Sequence, residues 1–100
     1  MDRFYGMLGL CAKAGKLVSG NFSVEKSIKS GQVYTLIVAA DASEATKSSY
    51  AKLCAGYEVE LHIYGTMDEL STAIGKSGRA AVAITDEGFA KTLVSKMTRI

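Results

Sequence analysis

The residues best suited to chemistry lie between Gly15 and Lys29, where Gly15-Lys16 and Gly20-Asn21 lead into a segment carrying Phe22, Ser23, Lys26 and Lys29. The spacing predicts a helix that starts near Asn21 and ends before Gly31. At about 100° per residue, Val24 and Ile28 turn to the core while Phe22, Lys26 and Lys29 fall on the opposite side. A helix start offers unpaired backbone N–H groups and the positive end of the helix dipole, which suits an anion. Lysines that neutralise phosphates, set beside an aromatic ring that can stack on a base, point to a nucleic-acid backbone rather than a metabolite phosphate. Phe22 keeps two readings at this level: it stacks on a ligand, or it folds back from the first turn onto Leu17 or the preceding helix.

A second basic segment follows at Gly75-Lys76-Ser77-Gly78-Arg79. Lys13, Lys16, Lys26 and Lys29 against Glu25 give the first segment a net +3, and Lys76 and Arg79 give the second +2, in a chain of net charge +2. The remainder is therefore acidic. If the segments meet in space they form one basic patch on an acidic protein, the footprint of a nucleic-acid binder. If they do not, they are two solvated faces.

Other chemistries fail on spacing. Gly9 to Lys16 ends like a phosphate-binding loop, but five residues separate Gly9 from Gly15 where four are needed, and Leu17 stands in place of the magnesium-binding hydroxyl. Gly75-Lys76-Ser77 has the right ending, yet Leu70 occupies the position of the first glycine. His62 is the sole histidine and sits in a strand pattern, so a structural role outweighs a catalytic one. Asp41 follows a strand, where open α/β sheets place chemistry, but Asp41-Ala42-Ser43-Glu44 reads better as helix-capping sequence. Cys11 and Cys54 fall in helical apolar patterns and read as small buried hydrophobes in a reducing compartment. No cysteine–histidine cluster exists to hold a metal. The expectation is a protein without catalysis, metal or cofactor.

The 100 residues, 48% apolar and 22% charged, describe a single globular domain spanning 1–100. Phe4, Met7, Leu8 and Cys11 recur at helical spacing, which predicts a first helix over about 2–14 with Asp2 as N-cap and Gly15 as its stop. Leu17-Val18-Ser19 reads as a short strand, and the apolar run Tyr34–Ala40 as a central strand covered on both faces. The next helix aligns Tyr50, Leu53, Cys54 and Tyr57, and residues 59–63 alternate as a strand. Thr66-Met67-Asp68-Glu69 has the capping-box form ahead of a short helix burying Met67, Leu70 and Ile74. A small-residue strand over 80–85 and a last helix aligning Phe89, Leu93 and Met97 complete the chain. Alternating helices and strands predict a three-layer α/β/α sandwich. No apolar run approaches the roughly 20 residues of a membrane span. No secretory leader follows Asp2 and Arg3 either, which places the protein in the cytoplasm.

The ordered set of Leu17-Val18-Ser19-Gly20, a helix with Lys26, and Tyr34–Ala40 running into Asp41-Ala42-Ser43 resembles the kink-turn RNA-binding ribosomal-protein superfamily, the L-seven-Ae and L-thirty-e group. Met7-Leu8-Gly9-Leu10-Cys11-Ala12-Lys13-Ala14-Gly15-Lys16, Ile74-Gly75-Lys76 with Arg79, and Val82 through Ala90 resemble its small bacterial YlxQ-like branch. The resemblance implies a four-stranded mixed sheet and a monomer that binds structured RNA, ribosomal in character, or the ribosome itself. It implies contact through Gly20, Asn21, Phe22, Ser23 and Lys26, with Lys16 and Lys29 nearby, and through the Gly75–Ala80 loop with Lys76 and Arg79. Archaeal members usually carry Asn-Glu where Phe22 and Ser23 stand, so the resemblance implies a structured-RNA target with a larger electrostatic share. The alternative is an adaptor that uses the same basic loops on an acidic protein partner.

Overall fold

A computed structural model describes residues 3–97 and orders the chain as α1 (Arg3–Lys13), β1 (Leu17–Ser19), α2 (Asn21–Lys29), β2 (Thr35–Val38), α3 (Glu44–Tyr57), β3 (Glu60–Ile63), α4 (Met67–Ala73), β4 (Ala81–Ile84) and α5 (Glu87–Ser95). The predicted Asp2 cap lies outside the described residues. The four strands form one mixed sheet in the order β1-β4-β2-β3. β4 runs antiparallel to both its neighbours, with Ser19 opposite Val82 and Ile37 opposite Val82, while β2 and β3 are parallel. Hence β1, β2 and β3 all point one way and β4 points back between them. Helices α1, α4 and α5 pack together over one face and α2 with α3 over the other, giving the expected three-layer α/β/α sandwich.

The central strands are covered on both sides. Every residue of β2 and β4 is buried, and β2 extends that burial into Ala39. Phe4, Leu8 and Cys11 of α1, Val24 and Ile28 of α2, Leu70 of α4 and Leu93 of α5 are fully buried against this sheet. Thr35 is buried too, and its hydroxyl donates to the Glu60 carbonyl at 3.2 Å, so its polar atom is not stranded. Glu60 and Ile63 of β3 are exposed, Ile63 by 45%, as befits an edge strand. Tyr57, aligned in the sequence with Tyr50, Leu53 and Cys54, is 48% exposed in the last turn of α3. Met7, Met67, Ile74 and Phe89 are only half-buried at the margin of the core. His62 pairs with Glu60 on its own strand. No helix among the described residues is long and apolar enough to cross a membrane.

Caps settle two sequence readings. The Thr66 hydroxyl accepts from the Glu69 N–H while the Glu69 carboxylate accepts from the Thr66 N–H, both at 3.1 Å, completing the predicted capping box of α4. Asp41 caps as well, but not the helix that follows it. Ser43 caps α3 by accepting from the Thr46 N–H at 3.1 Å, whereas Asp41 Oδ1 accepts from the Met67 N–H at 2.8 Å, the first amide of α4. Two parallel neighbours end side by side here, so a residue leaving β2 reaches the helix that leaves β3.

Asp41→Ala should lower unfolding free energy by about 1 kcal/mol, as lost caps do, measured by urea denaturation. Cys11 and Cys54 are buried, and burial, helped by the Asp86 charge, raises the Cys11 thiol from 9.0 to about 11. An unfolded thiol ionises first, so stability should fall as pH climbs from about 9 to about 11, and Cys11→Ala should flatten that fall. Both thiols should resist alkylation until denaturant is added.

Candidate nucleic-acid interface

Because β4 is reversed, the carboxyl ends of β1, β2 and β3 and the amino end of β4 share one edge of the sheet. Gly20-Asn21, Ala42-Ser43-Thr46, Met67 and Gly78-Arg79-Ala80 converge there around an open cleft of about 400 Å³. The two segments thus meet through Gly20-Asn21 and Gly78-Arg79, and Arg79 is the one basic residue among the described residues that lines the cleft. Arg79 Nη1 lies 3.4 Å from where a Cβ on Gly20 would stand, so the guanidinium rests against the start of α2.

Each neighbour of that contact is fixed. Gly20 has φ 91° and ψ 132°, a backbone geometry that L side chains rarely adopt, which lets β1 turn directly into α2. The loop carrying Arg79 is held by buried Ser71 of α4. The Ser71 carbonyl accepts from the Lys76 N–H at 2.9 Å, and its hydroxyl accepts from the Arg79 N–H at 2.8 Å. With Gly75 donating to Thr72 at 3.1 Å, α4 closes in a Schellman-type turn that needs the φ of 72° found at Gly75. Arg79 is half-buried, and its Nε is buried without a hydrogen-bond partner among the described residues.

The start of α2 differs from the other helix starts at this edge. Ser43 caps α3, and Thr66 with Asp41 caps α4, but Gly20 gives α2 no side-chain cap. The amides at its first turn therefore face the cleft free of a capping side chain. Asn21 has its Oδ1 occupied by the Tyr50 hydroxyl, which donates at 2.7 Å. Burial first, then the nearby Glu25 and Cys54, raise the Tyr50 pKa above its ordinary value, so the phenol stays protonated as this donor. Its grip leaves the Asn21 amide N–H groups for a ligand. Phe22 is 81% exposed, which excludes the folded-back reading and leaves a ring on the surface. Ser23 and Lys26 are exposed on the same turn and the next, and Lys26 pairs with no carboxylate among the described residues.

The remaining predicted residues spread out. Gly75 and Lys76 are exposed on the loop held by Ser71, at the same end of the sheet as Arg79. Lys29 ends α2 and lies 3.9 Å from Glu25, an exposed pair of small energetic consequence. Lys16 is not brought to the cleft. Its carbonyl accepts from the Thr85 N–H at 2.9 Å, at the opposite end of β1, and the four residues to Gly20 span about 13 Å of extended chain. Ser43, Thr46, Tyr50 and Ser71 complete the site without having been singled out as site residues. Their sequence signal was position: Ser43 and Thr46 follow a strand end directly, while Tyr50 and Ser71 act through space.

The fold is an α/β/α sandwich with an uncapped helix start and a guanidinium together at the carboxyl edge of its strands, an arrangement suited to an anion. Sequence comparison gives the family. The signature of the ribosomal protein L7Ae/L30e/S12e/Gadd45 family matches residues 2–94, and the chain belongs to that family. It is 35% identical over 92 residues to the RNA-binding protein YlxQ of Bacillus subtilis, covering 92% of each chain. It is 33% identical over 91 residues to the large ribosomal subunit protein eL30 of Neurospora crassa, covering 89% of this chain and 84% of that one. Among solved structures, a protein with unknown function from Bacillus halodurans C superposes with a TM-score of 0.90 at 32% identity over 95% of this chain and 96% of that one.

Gly20→Ala isolates the backbone contribution, because a methyl there would make only ordinary contact with Arg79. The strained φ should cost about 1–3 kcal/mol of stability in urea titration while the circular dichroism of the folded protein is retained.

Proposed function

We propose that this protein is a non-catalytic, cytoplasmic RNA-binding protein that acts as a monomer on structured, bent or bulged RNA of the kink-turn kind, in association with the ribosome or its RNA. The observation that carries the reading is the uncapped start of α2 lying against the Arg79 guanidinium, whose Nε lacks a partner among the described residues. A phosphate oxygen placed there accepts from the α2 amides and the guanidinium together. The Asn21 amide and the Ser23 hydroxyl then face a base edge or sugar. Lys26, and more distantly Lys76 and Lys29, neutralise neighbouring phosphates and release counterions. Gly20 and Gly75 shape the backbone that presents these groups. The relatives bear the names of RNA-binding and ribosomal proteins, which supports RNA and gives the protein-adaptor reading no support.

Binding of a kink-turn RNA, and of an unbent duplex of equal length, should be measured against salt. Lys26→Ala should weaken binding to the kink-turn RNA and flatten the log–log slope by about one unit. Arg79→Ala should do the same and lose more affinity, because it also removes hydrogen bonds. Lys16→Ala, at the far edge, should change either quantity least. Unchanged affinity and slope for both Lys26→Ala and Arg79→Ala would overturn the reading.

A further inference from the structure

We propose that the groove between α2 and α3 is a slot for one unpaired guanine of the bound RNA. This rests on the RNA-binding reading above and assigns chemistry to a surface beside the sheet-edge cleft. The groove measures about 490 Å³ and is lined by Phe22 and Glu25 from α2 and by Thr46, Ser49, Tyr50 and Leu53 from α3. Phe22 is 81% exposed and takes no part in the core, while Tyr50 is buried and Leu53 half-buried beneath the same groove. An exposed ring beside a groove of mixed polar and apolar lining is a stacking platform with hydrogen-bonding groups at hand, since every base presents a π-face. Asn21 and Thr46 line both this groove and the sheet-edge cleft, so a strand held at the cleft continues into the slot. That continuity favours a nucleotide over a peptide as the occupant.

The polar groups choose the base. The Glu25 side chain is 51% exposed and its carboxylate lies 3.9 Å from the Lys29 ammonium, a weak exposed pair that leaves it able to accept hydrogen bonds, though it donates none. Guanine alone among the four bases presents two adjacent donors, N1–H and N2–H, to such a fork. Its O6 then needs a donor, and the Asn21 amide has one free because Tyr50 occupies the Oδ1. On the other side of Phe22 lies a second, mostly apolar depression of about 370 Å³, lined by Phe22, Glu25, Lys26, Lys29 and Ser30. Lys29 is paired there with Glu25, so Lys26, which pairs with no carboxylate among the described residues, is the cation left for the phosphate of a nucleotide whose ring lies in the α2–α3 groove.

Glu25 supplies a test by sign. A carboxylate that merely sits among phosphate-binding lysines repels RNA, and neutralising it tightens binding to every sequence. A carboxylate that reads guanine does the reverse for that base. The probes are kink-turn RNAs differing in one unpaired nucleotide beside the stem: guanine, inosine, adenine or uracil. The wild-type protein should prefer guanine by roughly tenfold and lose part of that preference with inosine, which lacks the N2 amino group. Glu25→Gln should weaken binding to the guanine RNA and leave the uracil RNA unchanged or tighter. Phe22→Ala should weaken binding to all four by about fivefold or more without altering the salt slope, and Phe22→Tyr should restore it. Both side chains are exposed, and thermal melting checks that the variants fold. Equal tightening for all four RNAs by Glu25→Gln, or an inert Phe22→Ala, overturns the slot. If Lys26→Ala and Arg79→Ala still lose affinity in that case, RNA binding at the cleft stands without it. If those variants are inert too, both readings fall.

Discussion

The reversal of β4 is the constraint on which the rest depends. Pairing antiparallel with β1 on one side and β2 on the other, it carries its own amino end to the edge where β1, β2 and β3 all finish. Three helices must start at that edge, because each follows one of those strands, and one loop must end there. The arrangement joins residues from positions 20 to 80 without a long insertion. Its cost is crowded polarity, since three sets of unpaired helix amides open toward one cleft.

How those amides are satisfied separates scaffold from site. Ser43 closes the start of α3 and the Thr66–Glu69 box closes α4, with Asp41 adding a bond across from β2. These caps spend polar groups on structure and stiffen the cleft walls. α2 is left with Gly20, which has no side chain to offer. The same glycine that makes the turn possible therefore leaves the amides open. Local fold and ligand chemistry come from one residue type at one position.

What the sequence made legible follows the range of each interaction. Phe4, Leu8 and Cys11 declare a helix face within a few residues, Thr35–Val38 declares a buried strand, and the capping box has both partners within one turn. Asp41 was legible as a cap but not as the cap of α4, because its partner Met67 is 26 positions away and adjacent only once β2 and β3 pair. The Tyr50–Asn21 bond and the hold of Ser71 on Arg79 were hidden for the same reason. Lys16 shows the opposite case. It is close to Gly20 in sequence, but a strand lies between them, and extended chain carries it to the far edge. Phe22 could not be decided locally, since a first-turn side chain reaches either the core or the surface; its 81% exposure shows which.

Arg79 then becomes the informative residue of the free protein. A cation beside a helix start opposes the dipole, a misplacement of about 0.3–1 kcal/mol at an exposed site. Its Nε is buried and without a partner among the described residues, which adds a desolvation cost. Ser71 and the turn at Gly75 hold it there nonetheless. Interactions that would repel one another in the empty cleft become additive once an anion lies between guanidinium and amides, because both then point at the same charge. The scaffold bears this local conflict through the core under β4 and the caps on α3 and α4. An anion between guanidinium and amides would remove the first of these costs and a neutral or cationic group would not, so charge is the first property by which such a cleft would sort its occupants.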